Sequence, residues 1–141
     1  MNNPNFTNMK SLFVNLIFVV ILTVSGCAQS QNSASGNRQD VGAREVKELI
    51  AKDKEMVILD VRTPEEYANG HIADAMNLDF YASDFAHQLE NLDTTNTYLI
   101  YCASGNRSGK TATLMQDKGF KKIINSTAGF NELKQAEIPT K

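Results

Sequence analysis

The spacing of apolar positions changes several times along this chain. From Leu12 to Val24 they run almost unbroken, interrupted only by Asn15 and Thr23. From Ala28 to Gln39 (AQSQNSASGNRQ) there is no aliphatic residue larger than alanine and no aromatic one, so the stretch cannot bury enough surface to fold and reads as a flexible tether. Periodicity then begins. Val46, Leu49 and Ile50 recur at helical spacing among Arg44, Glu45, Lys47 and Glu48, which predicts an amphipathic helix across 41–51. Met56 to Val61 is a short apolar run and predicts a buried strand. Thr63-Pro64-Glu65-Glu66 supplies an N-cap, a proline at the first helical position and a glutamate three residues after the cap, predicting a short helix that ends near Asn69-Gly70. Ala75 to Leu78 is a second candidate strand, and Phe85, Leu89 and Leu92 give another helix face. Thr97 to Tyr101 predicts a strand that runs directly into Cys102. Arg107 to Lys118 follows as a helix with Ala112 and Met115 inward, stopped by Gly119 where a left-handed cap is favoured. Lys122 to Asn125 reads as a strand and Phe130 to Gln135 as a last helix. This alternation predicts an α/β fold, a central mostly parallel sheet of about five strands with helices on both faces. Ligands bind such sheets beyond the carboxyl ends of the strands, which is where Cys102 falls.

With 141 residues, 42% of them hydrophobic, the chain suffices for one compact domain and is too short for two of ordinary size. Net charge is −2, and the basic residues are scattered rather than clustered. Nothing here provides the electrostatic footprint that nucleic-acid binding needs.

The N-terminal apolar run has the character of a secretion signal. As a helix it would span roughly 20 Å, short of the ~30 Å hydrocarbon core that a transmembrane helix must cross, so a permanent single span is the weaker alternative. Val24-Ser25-Gly26-Cys27, which follows, resembles the lipobox of bacterial lipoproteins: an aliphatic residue, two small ones, and the cysteine that becomes a lipidated N-terminus. The resemblance implies a signal peptide over 1–26, lipid chains on Cys27, a tether over 27–39 and a folded domain over 40–141. The competing reading is an ordinary secreted protein in which Cys27 is incidental. A lipoprotein would sit in the cell envelope, anchored to the membrane on the extracytoplasmic side. Ala28 lacks the aspartate associated with inner-membrane retention, which in a diderm cell favours the outer membrane facing the periplasm. Acylation of Cys27 would leave Cys102 as the only thiol and rule out an intramolecular disulfide.

Candidate chemistry centres on Tyr101-Cys102-Ala103-Ser104-Gly105-Asn106-Arg107-Ser108, a strand, tight loop and helix start. A loop curled over a helix N-terminus turns several N–H groups inward and adds the positive end of the helix dipole, which favours a thiolate and binds anions. Gly105 allows the positive φ that so tight a turn requires, and Arg107 adds a fixed charge. The plain alternative is a buried cysteine that ends a strand as a small apolar residue.

The segment from Cys102 to Ser108 resembles the active-site loop of rhodanese-like sulfurtransferases, Cys-x-x-Gly-x-Arg-Ser. Upstream, Leu59-Asp60-Val61-Arg62-Thr63-Pro64-Glu65-Glu66-Tyr67, then Gly70-His71-Ile72 and Ala75, resembles the signature that precedes that loop in the family. The resemblance implies a rhodanese-like fold in which Cys102 takes sulfur from thiosulfate or a persulfide, holds it as a persulfide, and yields it to a thiol or cyanide. It implies further that Ala103, Ser104, Gly105, Asn106, Arg107 and Ser108 form the binding loop, that Asp60 and Arg62 support it, and that His71 belongs to a structural turn. No metal or organic cofactor is implied; two histidines and one available thiol make a poor zinc site. His87 falls on a predicted exposed helix face.

Related cysteine phosphatases and arsenate reductases place one more residue between cysteine and arginine than the four here, Ala103 to Asn106, and the smaller ring suits a sulfur atom. That chemistry remains one alternative; a persulfide carrier or sensing module without turnover is the other. The C-terminal end departs from the family, whose Gly-Gly, tryptophan and Gly-hydrophobic-Pro are replaced by Ala128-Gly129, Leu133 and Glu137-Ile138-Pro139, in a chain with no tryptophan.

Overall fold

The computed structural model describes residues 37–141; the predicted signal, Cys27 and most of the tether lie outside the described residues. Ten elements follow in order: β1 (Arg38–Val41), α1 (Ala43–Lys52), β2 (Val57–Asp60), α2 (Pro64–Ala68), β3 (Met76–Asn77), α3 (Phe85–Glu90), β4 (Thr97–Tyr101), α4 (Asn106–Asp117), β5 (Lys122–Ser126) and α5 (Phe130–Gln135). The five strands form one sheet in the order β1-β5-β4-β2-β3. Every pairing in it is parallel.

Side chains that alternate along each strand feed two cores. On one face Leu59, Val61, Tyr98, Ile100 and Cys102 pack with Phe85 and Leu89 of α3 and Ala112 and Met115 of α4. On the other, Ile58, Leu99 and Tyr101 meet Val46 of α1 and Leu133 of α5. Helices therefore cover both faces, as the alternation of elements predicts.

The tether reading is corrected at its end. Arg38 and Gln39 are not free chain: they pair with Ile123 and Ile124, so the ordered fold starts before Asp40. An outer parallel strand needs only backbone pairing and one inward residue, here Val41, while Gln39 and Asp40 stay exposed. Its polar sequence therefore carries no strand pattern.

Local signals set several bounds. The Thr63 hydroxyl accepts from the Glu66 N–H at 3.2 Å and the Glu66 carboxylate accepts from the Thr63 N–H at 3.0 Å, closing the capping box that starts α2. Gly119 ends α4 at φ 83°. At the C-terminus Leu133 is fully buried where the family places tryptophan.

Glu137 stands where the family has glycine, and it is held at φ 60°. A left-handed conformation costs a residue with a Cβ about 1–2 kcal/mol, part of which glycine gives back through its freer unfolded chain. The exposed Lys47–Glu137 pair at 3.1 Å offsets little of this. Glu137→Gly is expected to raise stability by about 0.5–1 kcal/mol, read as a higher urea midpoint at unchanged slope.

The topology also fixes where a site can form. From β2 the chain leaves towards β3 on one side, and from β4 it leaves towards β5 on the other. The connections diverge and open a crevice at the carboxyl ends of these two central strands. Arg62 lies just past one end and Cys102 just past the other.

Candidate active site

Cys102 continues the alternation of Tyr98 and Ile100, so its side chain turns into the α3/α4 face; it is fully buried. Its carbonyl accepts from the Phe130 N–H at 2.9 Å. The chain then turns through Ala103 and Ser104, both exposed, to Gly105 at φ 81°, the residue that caps α4. Glycine is required there twice over. A Cβ would need an unfavourable φ and would lie 2.6 Å from the Thr127 carbonyl oxygen.

The turn brings the N–H groups of Ser104, Arg107 and Ser108, together with the Ser108 hydroxyl, onto the sulfur. Burial pushes the Cys102 thiol up. The N–H groups of Ser104 and Ser108, the Ser108 hydroxyl and the Arg107 N–H outweigh it and bring the thiol below its ordinary value. Ser108 is itself buried, and its hydroxyl also reaches the carbonyls of Gly105 at 3.1 Å and Ser126 at 3.2 Å. One proton serves several acceptors, so the main-chain donors carry most of the polarisation. Of the six residues predicted for the binding loop, the structure thus turns polar groups of Ser104, Arg107 and Ser108 onto the sulfur. Gly105 permits the turn, and the side chains of Ala103 and Asn106 face solvent.

The guanidinium of Arg107 does not stand alone. It grips both carboxylate oxygens of Glu66, at 2.7 Å each, and lies 5.5 Å from the centre of the Tyr81 ring. Held by Arg107 against the opposing effect of partial burial, and bonded by the Thr63 N–H, the Glu66 carboxyl is pulled down to about 2. This pair ties the start of α2 to the start of α4 across the crevice.

Asp60 and Arg62 form a second, fully interior pair. Arg62 donates to Asp60 through Nε at 2.9 Å and Nη2 at 2.6 Å, and through Nη2 to the Gly70 carbonyl at 2.7 Å. The Tyr101 hydroxyl donates to Asp60 at 2.5 Å and accepts from the Ile72 N–H at 3.0 Å. Arg62 also stacks on Phe130, 4.0 Å from the ring centre. Since Phe130 holds the Cys102 carbonyl, the pair braces the ends of β2 and β4 and the residue that fixes the cysteine. His71 serves the same turn: its Nδ1 lies 3.0 Å from the Tyr67 carbonyl and its ring stacks on Tyr67. His87 is exposed and pairs with Glu90 at 3.4 Å. Among the described residues no group of three or more His, Cys, Asp or Glu side chains is placed to hold a metal.

Sequence reasoning did not single out four contributors: Glu66 as a partner of Arg107, Tyr81, Thr127 and Phe130. Glu66 was legible only as a capping residue, and Tyr81 lies in an irregular segment without periodicity. Gly129 stood out only as part of a C-terminal motif. A Cβ on it would overlap the Ala103 carbonyl oxygen, so the segment after β5 lies directly against the cysteine loop. Gly129→Ala must displace one loop or the other. It is expected to cost about 2 kcal/mol in thermal or chemical unfolding and to slow reaction of Cys102 with thiol reagents or donors.

Fold and site together define an α/β domain with a polarised cysteine in an anion cradle at the switch point of a parallel sheet. Comparison with known proteins agrees. The model of the rhodanese-like domain family matches residues 42–136, and the chain belongs to that family. It is 34% identical over 92 residues to the thiosulfate sulfurtransferase GlpE of Pseudomonas entomophila, covering 64% of this chain and 81% of that protein. It is 28% identical over 104 residues to the thiosulfate:glutathione sulfurtransferase of Saccharomyces cerevisiae, covering 65% of this chain and 75% of that one. Among solved structures, the rhodanese-related protein of Thermoplasma volcanium superposes with a TM-score of 0.64 at 26% identity, over 73% of this chain and 97% of that one.

Proposed function

We propose that this protein is a sulfurtransferase that carries sulfane sulfur as a persulfide on Cys102. The observation that supports the reading best is the ring of N–H donors turned onto a buried sulfur whose thiol lies below its ordinary value. The Cys102 thiolate attacks the outer sulfur of a donor. With thiosulfate, the new Sγ–S bond forms as the donor S–S bond breaks, and sulfite leaves with the electron pair. The persulfide keeps one negative charge, stabilised by the N–H groups of Ser104, Arg107 and Ser108. A thiolate or cyanide then attacks the terminal sulfur and releases the Cys102 thiolate, which divides the transfer into two displacements. The proposal includes export and lipidation at Cys27, which would confine the reaction to the extracytoplasmic face of a membrane.

Intact-mass spectrometry of the purified chain after incubation with thiosulfate or an organic persulfide tests this. The expected result is a gain of one sulfur atom that cyanide removes; no adduct with any donor would overturn it. The pH dependence has a defined sign. A thiol below its ordinary value stays deprotonated as pH falls through the range where free cysteine protonates. The loading rate should therefore hold its plateau to lower pH than the reaction of free cysteine with the same donor.

A further inference from the structure

Anion recognition by arginine depends on its planar fork of donors, and at this site the fork is occupied. Both terminal nitrogens of Arg107 are bound to Glu66 at 2.7 Å, and only 13% of the arginine side chain is exposed. The other guanidinium at this end of the sheet, Arg62, is matched by Asp60 and almost fully buried. Each cation is thus paired with a carboxylate, which weakens its pull on an incoming anion and leaves the main-chain N–H groups on the sulfur as the principal donors. Those suit a single charge on one sulfur atom. A sulfonate end would bring a second charge and three more oxygens, close to the Glu66 carboxylate. Beside the same arginine stands Tyr81, 68% exposed, its ring an uncovered apolar surface at the rim.

We propose that the charge pairing by Glu66 and the exposed ring of Tyr81 select a singly charged organic persulfide, R–S–S⁻, over dianionic thiosulfate as the preferred sulfur donor. Glu66 is the specificity-determining residue, and Tyr81 is the platform for the organic group R. The inference rests on the sulfur-transfer reading of Cys102. In the step, the Cys102 thiolate attacks the outer sulfur of R–S–S⁻, the Sγ–S bond forms, the donor S–S bond breaks, and R–S⁻ departs with its electron pair. One negative charge stays on the enzyme persulfide and one leaves with the thiolate, and no external oxidant or reductant is consumed.

The test compares kcat/KM for loading of Cys102 by benzyl persulfide, whose one charge lies on its outer sulfur, and by thiosulfate in the full chain, in Glu66→Gln and in Tyr81→Ala. Glutamine keeps the capping-box bond to Thr63, so α2 is retained while Arg107 gains an uncompensated charge. The persulfide should be favoured at least about tenfold in the unaltered protein, and Glu66→Gln should raise kcat/KM for thiosulfate about tenfold while changing the persulfide value less than about threefold. Tyr81→Ala, on an exposed side chain, should shift the ratio of kcat/KM for the persulfide to that for thiosulfate about three- to tenfold towards thiosulfate. Preference for thiosulfate in the unaltered protein, or equal shifts for both donors in both variants, would overturn the inference while leaving sulfur transfer intact. Failure of every donor to load Cys102 would overturn the sulfur-transfer reading and the inference with it.

Discussion

Cys102→Ser is expected to abolish the sulfur adduct and to lower sulfur transfer by a factor on the order of 10⁴–10⁶, down to the uncatalysed exchange between donor and acceptor. The substitution exchanges one atom. The hydroxyl fits the same buried position and meets the same N–H donors, so folding should change by only about 1 kcal/mol. The reaction is lost for a different reason. The environment that lowers the thiol rests on three main-chain donors and a shared serine proton, far too little to ionise an alcohol near neutral pH. A hydroxyl is also a poor nucleophile towards divalent sulfur, and the O–S product it would form is not a persulfide from which the acceptor could take sulfur by the same displacement. Transfer that survived the substitution, with an intact thermal melt, would show that sulfur is carried elsewhere.

The second large effect is structural. Asp60→Ala removes the carboxylate that pairs with Arg62 and accepts from Tyr101, and leaves a guanidinium that is only 4% exposed without its counter-ion. Removing one partner of such a pair costs about 3–5 kcal/mol, because the remaining charge must stay buried uncompensated or pull the surrounding chain apart. Against a typical domain stability of about 5–15 kcal/mol this is a large share, and chemical denaturation would register it as a lower midpoint. A second substitution, Arg62→Met, should recover part of the loss by removing the stranded charge. A loss below about 1 kcal/mol for the single variant would mean that Arg62 finds another partner or reaches water.

What the sequence reveals and what it hides divides along physical lines. Thr97 to Tyr101 was legible to the residue because a central parallel strand, buried on both faces, is a compact apolar run with a clear edge. The start of α2 was legible because the capping box is a local contract between Thr63 and Glu66, written within four positions. β1 was not: at an outer position, backbone pairing holds a strand whose side chains are mostly polar, and the sequence pattern assigns Arg38 and Gln39 to the tether and Val41 to the helix that follows. The cysteine loop was visible as a local motif, including the need for Gly105. Its second layer was not. The grip of Glu66 on Arg107 and the hold of Phe130 on Cys102 join residues far apart in sequence. No local period encodes such contacts.

The borders of the sheet carry a consequence for how copies of this protein coexist. One border is β3, only two residues long, and the other is β1, four residues long, whose Arg38 and Asp40 side chains are linked at 2.8 Å. Unpaired strand borders invite neighbouring chains to add on, and shortness and charge are the usual deterrents. On the proposed lipid anchor, copies would share one plane and meet far more often than at the same number in free solution. A sheet with such inhospitable margins allows that crowding without polymerisation.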